Sequence, residues 1–261
     1  MNRYLYIYKR LLYLNISGMV AYRFSFINNL LSSVIWASFT IATTLLITIR
    51  TSSIFGWSRE ELLLLTANYT IMWGLFNTFF SRSFSDFPHI IDEGRLDIFL
   101  LKPINAQFLV SVNKINLIAA VRIVIGGILL TSIKNQLQLN FTPQILLGYI
   151  FLLILGMLIM YSSWFMVSTL LIWFDRLSNL ISLMYNVTSM ANRPTEMYLK
   201  ISTFIIYLLP IVLIAVIPTK YLLHKATANE ITLFIILTFI MFISCVALWR
   251  YALRFYTSVS S

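Results

Sequence analysis

The chain has 261 residues, of which 59% are hydrophobic, 15% aromatic and only 11% charged. A soluble domain carries about 25% charged residues, so this one lacks the polar surface to cover itself in water. Together with a mean hydropathy of +0.85, this excludes a soluble enzyme, a disordered chain and a nucleic-acid-binding domain, and leaves a polytopic membrane protein. The net charge of +10, from 19 Lys and Arg against 9 Asp and Glu, fits basic residues that flank spans and meet anionic headgroups.

The first segment, 1–25, does not read as a cleavable leader, because basic residues stand on both sides of its apolar positions and no small-residue cleavage site follows. Tyr4, Ile7, Tyr8, Leu11 and Leu12 recur near helical spacing with Lys9 and Arg10 displaced from them. That pattern predicts an amphipathic helix lying along the membrane surface. A bilayer core about 30 Å thick needs about 20 apolar residues in a helix. Runs of that kind predict spans at 26–49, 61–81, 110–133, 144–173 and 231–250. The region 177–218 has two readings. Lys/Arg placement favours a span at 199–217, whereas Pro194, Pro210 and Pro218 favour a broken, re-entrant arrangement after a span at 177–191. Either way six spans are expected, within one transmembrane domain at 26–254 and ahead of a short tail at 255–261. The single cysteine, Cys245, lies in an apolar run, so no intrachain disulfide forms.

Orientation follows the basic residues. Arg3, Lys9, Arg10 and Arg23, then Arg82, Arg95 and Lys102, then Arg250 and Arg254 share one side of a six-span chain. Both termini are therefore expected in the cytoplasm of a multi-pass protein of the plasma (inner) membrane.

The least ordinary stretch is the loop 82–106, RSFSDFPHIIDEGRLDIFLLKPINA. Four of the nine acids (Asp86, Asp92, Glu93, Asp97) fall in it, Pro88 and Pro103 bracket it, and Gly94 divides it into two short helical pieces. Ile90, Ile91, Leu96, Phe99 and Leu100 add more apolar surface than a solvated turn needs, which suits docking into a partner's groove. In the third span Arg122 falls near mid-membrane, where a charge costs a few kcal/mol or more. It must face a cavity or a protein neighbour, as a substrate-path residue or as a structural donor, with Asp175, a backbone carbonyl or another subunit as partner. Lys114, eight residues earlier, is expected on a similar face, and Gly126-Gly127 permit close helix approach. Asn28 and Asn77 are further candidate polar residues of a path.

Catalytic residues are not expected. The chain has no G-x-x-x-x-G-K-[ST] phosphate loop, no G-x-S-x-G and no H-E-x-x-H, and His89 and His224 stand too far apart to suggest a metal site. Energy for active transport would then come from an ion gradient or another subunit.

YRFSFINNLLSSVIW (22–36), FGWSREELLLLTANYTIMWGLF (55–76) and FPHIIDEGRLDIFLLKPINAQF (87–108) resemble the ABC-2-type permease subunits of ATP-binding-cassette exporters, most of all a short six-span branch. The branch pattern I-x-x-G-x-L-D-x-x-L-x-x-P is supplied by Ile91, Gly94, Leu96, Asp97, Leu100 and Pro103. The resemblance implies an all-α membrane fold of the type V exporter kind: an interfacial N-terminal helix, six transmembrane helices, a cytoplasmic coupling helix, and re-entrant helices at 192–225 before the last span, which favours the span at 177–191. It implies that 88–103, with Asp92, Glu93 and Lys102 beside the motif residues, couples to a separate ATPase present in two copies. ATP and magnesium would then sit on that ATPase, with no cofactor on this chain. It implies a second permease chain, identical or related, that completes a path lined by the first, second and fifth spans. Two other classes remain, an ion-coupled secondary transporter and a non-transporting membrane scaffold. The aromatic and apolar spans lean towards an amphiphilic or lipophilic cargo.

Overall fold

The computed structural model describes residues 2–21, 23–49, 53–139, 141–174, 179–199 and 210–256. Tyr22 and Asp175, and most of the alternative span at 199–217, lie outside them. Helix α1 is Asn2–Ala21 and α2 is Arg23–Thr48. A two-residue pairing follows, β1 (Ser53–Ile54) with β2 (Trp57–Ser58), the one departure from an all-helical expectation among the described residues. Phe55 and Gly56 both take positive φ (53° and 82°), as a tight primed hairpin turn requires.

Ser58 then starts α3 (Arg59–Phe76) with a reciprocal capping box to Glu61. The helical path continues through a π segment at Asn77–Ser81 directly into α4 (Arg82–Asp92). Residues 59–92 therefore form one unbroken helical rod, longer than the span predicted at 61–81. Gly94, at φ 65°, turns the chain into α5 (Leu96–Leu100), and α6 (Ala106–Val112) returns towards the membrane. The region predicted as one span at 110–133 is broken: α6 ends at Val112, a 3-10 turn occupies Leu117–Ala120, and α7 runs Val121–Lys134. Lys114 and Arg122 thus do not share a helix face. The open backbone at the break is satisfied from elsewhere, as non-helical chain inside a bilayer must be. The Lys114 amide donates to Ser83 Oγ (2.9 Å), the Ile115 amide to Asn15 Oδ1 (3.2 Å) and the Asn116 amide to the Thr78 carbonyl (2.9 Å). Lys114 Nζ pairs with Asp86 Oδ1 at 2.6 Å. Through Asn15, and through Tyr4 packed edge-on to Phe108, α1 is tied to this break and to α6.

Helix α8 (Pro143–Leu170) starts with Thr142 as N-cap and proline in its first turn. Then come α9 (Asn179–Ser189), a 3-10 turn to Asn192, α10 (Glu196–Leu199), a 3-10 turn at Pro210–Val212, α11 (Leu213–Leu222) and α12 (Ala228–Ala252), the last capped by Thr227 and Glu230. Among the described residues four helical stretches are long and apolar enough to cross a membrane: 23–48, 117–134, 143–170 and 228–252. Helix α3 is excluded by its polar composition, but it carries a long continuous buried run, with residues Leu62 to Met72 all buried.

Packing is set by glycines where backbones meet. A Cβ on Gly74 would lie 2.9 Å from the Ile123 amide nitrogen, and one on Gly126 would lie 2.9 Å from the Ala67 carbonyl oxygen, so α3 and α7 run antiparallel in near-backbone contact. Gly156 meets Ile214 and Gly148 meets Tyr221, so α11 runs antiparallel to α8 but covers only the half of it nearer Pro143. A fully bonded polar chain joins three elements there. Tyr149 Oη donates to Asn68 Oδ1 (2.6 Å), Asn68 Nδ2 donates to Thr219 Oγ1 (2.8 Å), and Thr219 Oγ1 donates to the Ala215 carbonyl (2.6 Å). Replacing Asn68 with leucine is expected to lower thermal stability in detergent by about 1–2 kcal/mol, because Tyr149 loses its acceptor. Adding Tyr149→Phe should restore part of that loss, since removing both partners leaves no orphaned group.

Candidate functional site

A cavity of about 950 Å³ lies between α2, α3, Arg122 of α7, α9 and the segment 192–197. Its α3 wall is Leu62, Tyr69, Trp73 and Asn77, spaced seven, four and four residues apart and so on one helical face. Its α2 wall runs from Trp36 to Thr48 at steps of three and four. Tyr69 stacks on Trp73, and Tyr185 of α9 packs edge-on to both Trp73 and Trp164. The resemblance pointed to the first, second and fifth spans as path-lining, and the elements over those regions do border this cavity.

The third element contributes through one side chain. Close α3–α7 contact sets Arg122 against Gly74, a Cβ on which would sit 3.0 Å from the Arg122 Cβ. From there Arg122 lines the cavity, and its buried Nε has no hydrogen-bond partner among the described residues. Asn77 also lines it, with Nδ2 donating to the Trp73 carbonyl (2.8 Å). Asn28 is exposed on α2 and is not part of the lining. Tyr69, Trp73 and Tyr185 were not singled out from sequence, since aromatic residues in apolar helices are more often packing.

At the far end of the rod from Arg59, α4 and α5 form a small amphipathic hairpin. Phe84, Phe87, Ile90, Ile91, Leu96 and Phe99 are buried in the protein's own core, with Phe87 packed near Trp249. Ile91 and Leu96, expected from the motif to meet a partner, are therefore anchors of the hairpin and not part of its outer surface. The outer surface consists of Asp92, Glu93, Ile98, Leu100, Leu101, Lys102 and Pro103, with Leu101 85% and Ile98 55% exposed. Glu93 pairs with Arg95 (2.6 Å) and Lys102 lies over the Phe99 ring (5.4 Å to its centroid). Gly94 supplies the left-handed turn, and Asp97 is half-buried. Ile98 and Leu101 stand three apart, a signal that the apolar neighbours Phe99 and Leu100 between them concealed.

At the opposite end of α3 a charged strap ties the irregular segment down. Lys220 Nζ contacts Glu196 Oε1 (3.0 Å) and Glu230 Oε1 (2.9 Å), Trp57 Nε1 donates to Glu196 Oε2 (2.9 Å), and Lys225 Nζ pairs with Glu61 Oε1 (2.6 Å). Burial alone would raise the Glu196 carboxyl, but its own backbone amide, Lys220 and Trp57 together hold it below the ordinary value of 4.5. A depressed folded pKa gives stability that is present above the unfolded value and is lost as pH falls through the folded one. Thermal stability is accordingly expected to hold from neutral pH to about 4.5 and to fall below that, with Glu196→Gln flattening the acid limb in a pH series of melting curves.

Helices long and apolar enough to cross a membrane, an enclosed central rod and a walled cavity are the features of a multi-pass membrane permease. The chain belongs to the ABC-2 family transporter proteins, whose family model matches residues 34–260. No curated protein and no solved structure matches it.

Proposed function

We propose that this chain is the permease half of an ATP-driven exporter and that it takes its energy from separate ATPase subunits docked on the 92–103 surface. The observation that carries the reading is mechanical. The docking hairpin and the cavity wall belong to one helical rod, so force on α4 is delivered to Tyr69, Trp73 and Asn77. Tyr185 Oη lies 3.0 Å from Ser81 Oγ and 3.1 Å from Ser85 Oγ, which ties the opposite cavity wall to the base of the same hairpin. The π segment between wall and hairpin is a natural place for bending.

In this reading two ATPase subunits bind ATP and magnesium, close, and push the hairpins of two permease chains; hydrolysis resets them. The six crossings are α2, α3, the α6–α7 pair, α8, α9 and α12. Of the re-entrant segment at 192–225, the parts at 192–199 and 210–225 are described and 200–209 lie outside the described residues; both termini and the 82–106 loop face the cytoplasmic side of the inner membrane. A second permease chain, identical or related, closes the cavity along α2, which buries only Ser33, Ala37 and Thr48 of its described side chains. Residues 1–25 rest on the membrane surface. The cavity favours a transporter over a scaffold, which needs none.

The test is purification of the tagged chain in mild detergent with mass spectrometry of its companions. An ATPase subunit recovered in stoichiometric amount, with ATP hydrolysis in the eluate, supports the reading. Purification without any nucleotide-binding protein contradicts it.

A further inference from the structure

We propose that the cavity beside Arg122 takes an anionic amphiphile, with Arg122 binding the headgroup and the aromatic wall holding the apolar body. This rests on the reading of the cavity as the transport path, and it names the class of molecule that enters.

The cavity lining contains two cations, Arg122 and Arg193, and no acid. They lie at different levels: Arg122 faces Gly74 of α3, fifteen residues and about 22 Å along the helix from Arg59, while Arg193 lies three residues before Glu196, which bonds Trp57 at the other end of α3. A cation at membrane depth is expensive unless something negative meets it, and no salt bridge among the described residues includes Arg122. Its Nε is buried and unbonded.

Several of the remaining polar groups of the wall already have partners, whereas Asn192 Oδ1 is buried and unbonded among the described residues. Thr40, Thr43, Thr44 and Thr48 of α2 each donate to a carbonyl of their own helix. Asn77 donates to Trp73, and Ser189 donates to the Asn186 carbonyl. The hydroxyl protons of those threonines are therefore committed within their own helix. Of the two cations in the lining, Arg122 is the one beside the Tyr69–Trp73 wall, so a charged donor for an anion lies next to aromatic rings. A volume of about 950 Å³ lies in the range of ligand sites that bury a drug-sized or single-chain molecule.

The experiment uses the full chain alone in phosphatidylcholine nanodiscs, with Trp36 and Trp73 in the cavity wall as reporters. Tryptophan quenching is titrated with three ω-brominated undecyl probes of equal chain length: a carboxylate, an alcohol and a trimethylammonium. Wild type is expected to be quenched by the carboxylate at concentrations at least about tenfold lower than by the alcohol, with the ammonium weakest. Arg122→Gln should bring carboxylate and alcohol together while leaving the alcohol curve in place, and Arg122→Lys should retain part of the preference. A tail-brominated phosphatidylglycerol arm separates bilayer lipid from free amphiphile as the source of the anion. Equal quenching by all three probes in wild type overturns the proposal, and so does a carboxylate preference that survives in Arg122→Gln. The wild-type series decides the matter even if the glutamine variant does not fold. No ATPase is present, so a failure here leaves the docking reading untouched, and a failure to recover an ATPase leaves this result standing.

Discussion

Gly126→Leu is expected to abolish accumulation of folded protein, whereas Gly127→Leu, one residue away, is expected to be silent. A Cβ at 126 would stand 2.7 Å from Ile71 Cγ1, 2.9 Å from the Ala67 carbonyl oxygen and 3.1 Å from the Ile71 amide nitrogen. Two of those three atoms are backbone of the long buried run of α3, so nothing can rotate aside. Overpacking of a core ordinarily costs about 1–3 kcal/mol, and here the whole α3–α7 contact would have to separate, so the loss should be at the upper end or beyond. Position 127 has nothing within 4 Å of its Cβ site, and an apolar side chain there gains lipid contact. Size-exclusion profiles of fluorescent fusions in detergent would show a monodisperse peak for wild type and Gly127→Leu and aggregate for Gly126→Leu. Because α7 also carries Arg122, a milder variant, Gly126→Ala, should reduce anion preference in the cavity before it unfolds the protein.

The second large effect is expected at the docking surface. Ile98→Asp and Leu101→Asp should each leave the permease folded yet reduce recovery of its ATPase partner by at least about thirtyfold, the effect of losing a hot-spot contact of about 2 kcal/mol. Both side chains are largely exposed and hold up no core, so a charge there meets water until a partner arrives. Leu96→Asp should behave differently. Its side chain is fully buried, and a carboxylate there would unfold the hairpin itself, so reduced yield and reduced partner recovery should fall together. Quantitative mass spectrometry of co-purified protein, normalised to folded permease, separates the two outcomes.

The contrast between Leu96 and Leu101 shows where the sequence is legible and where it is not. Composition alone placed the chain in a membrane, since too few charges were available to cover it. Apolar runs also placed three helix starts: α3, α8 and α12 begin at 59, 143 and 228, against the predicted 61, 144 and 231. The motif residues between Ile91 and Pro103 marked a helix–turn–helix, and Gly94 does make the turn. Which motif residue faces inward could not be read, because a five-residue helix with four apolar side chains and one acid is too short to show a period. The break at 113–116 was hidden for another reason. Its backbone groups are satisfied by Asn15, Thr78 and Ser83, and nothing in the apolar run 110–133 announces partners that distant. Arg122 was conspicuous as the cation nearest the middle of that run, but its surroundings come from α2, α3 and α9, which only the packing brings together. Helix α11 could not be recognised as a half-length element, because its limit is set by where it lies against Gly148 and Gly156 of α8.

The central claim is that the exposed tip of α5 touches an ATPase, and photo-crosslinking in intact cells tests it most directly. A benzophenone amino acid is placed at Leu101, at Ile98, and at Leu147 of α8, which is 69% exposed on an apolar crossing helix. Irradiation is predicted to join the chain to a nucleotide-binding protein from positions 98 and 101 and to no such protein from 147. Crosslinks at 98 and 101 that yield only lipid adducts, or proteins with no nucleotide-binding domain, would contradict the account.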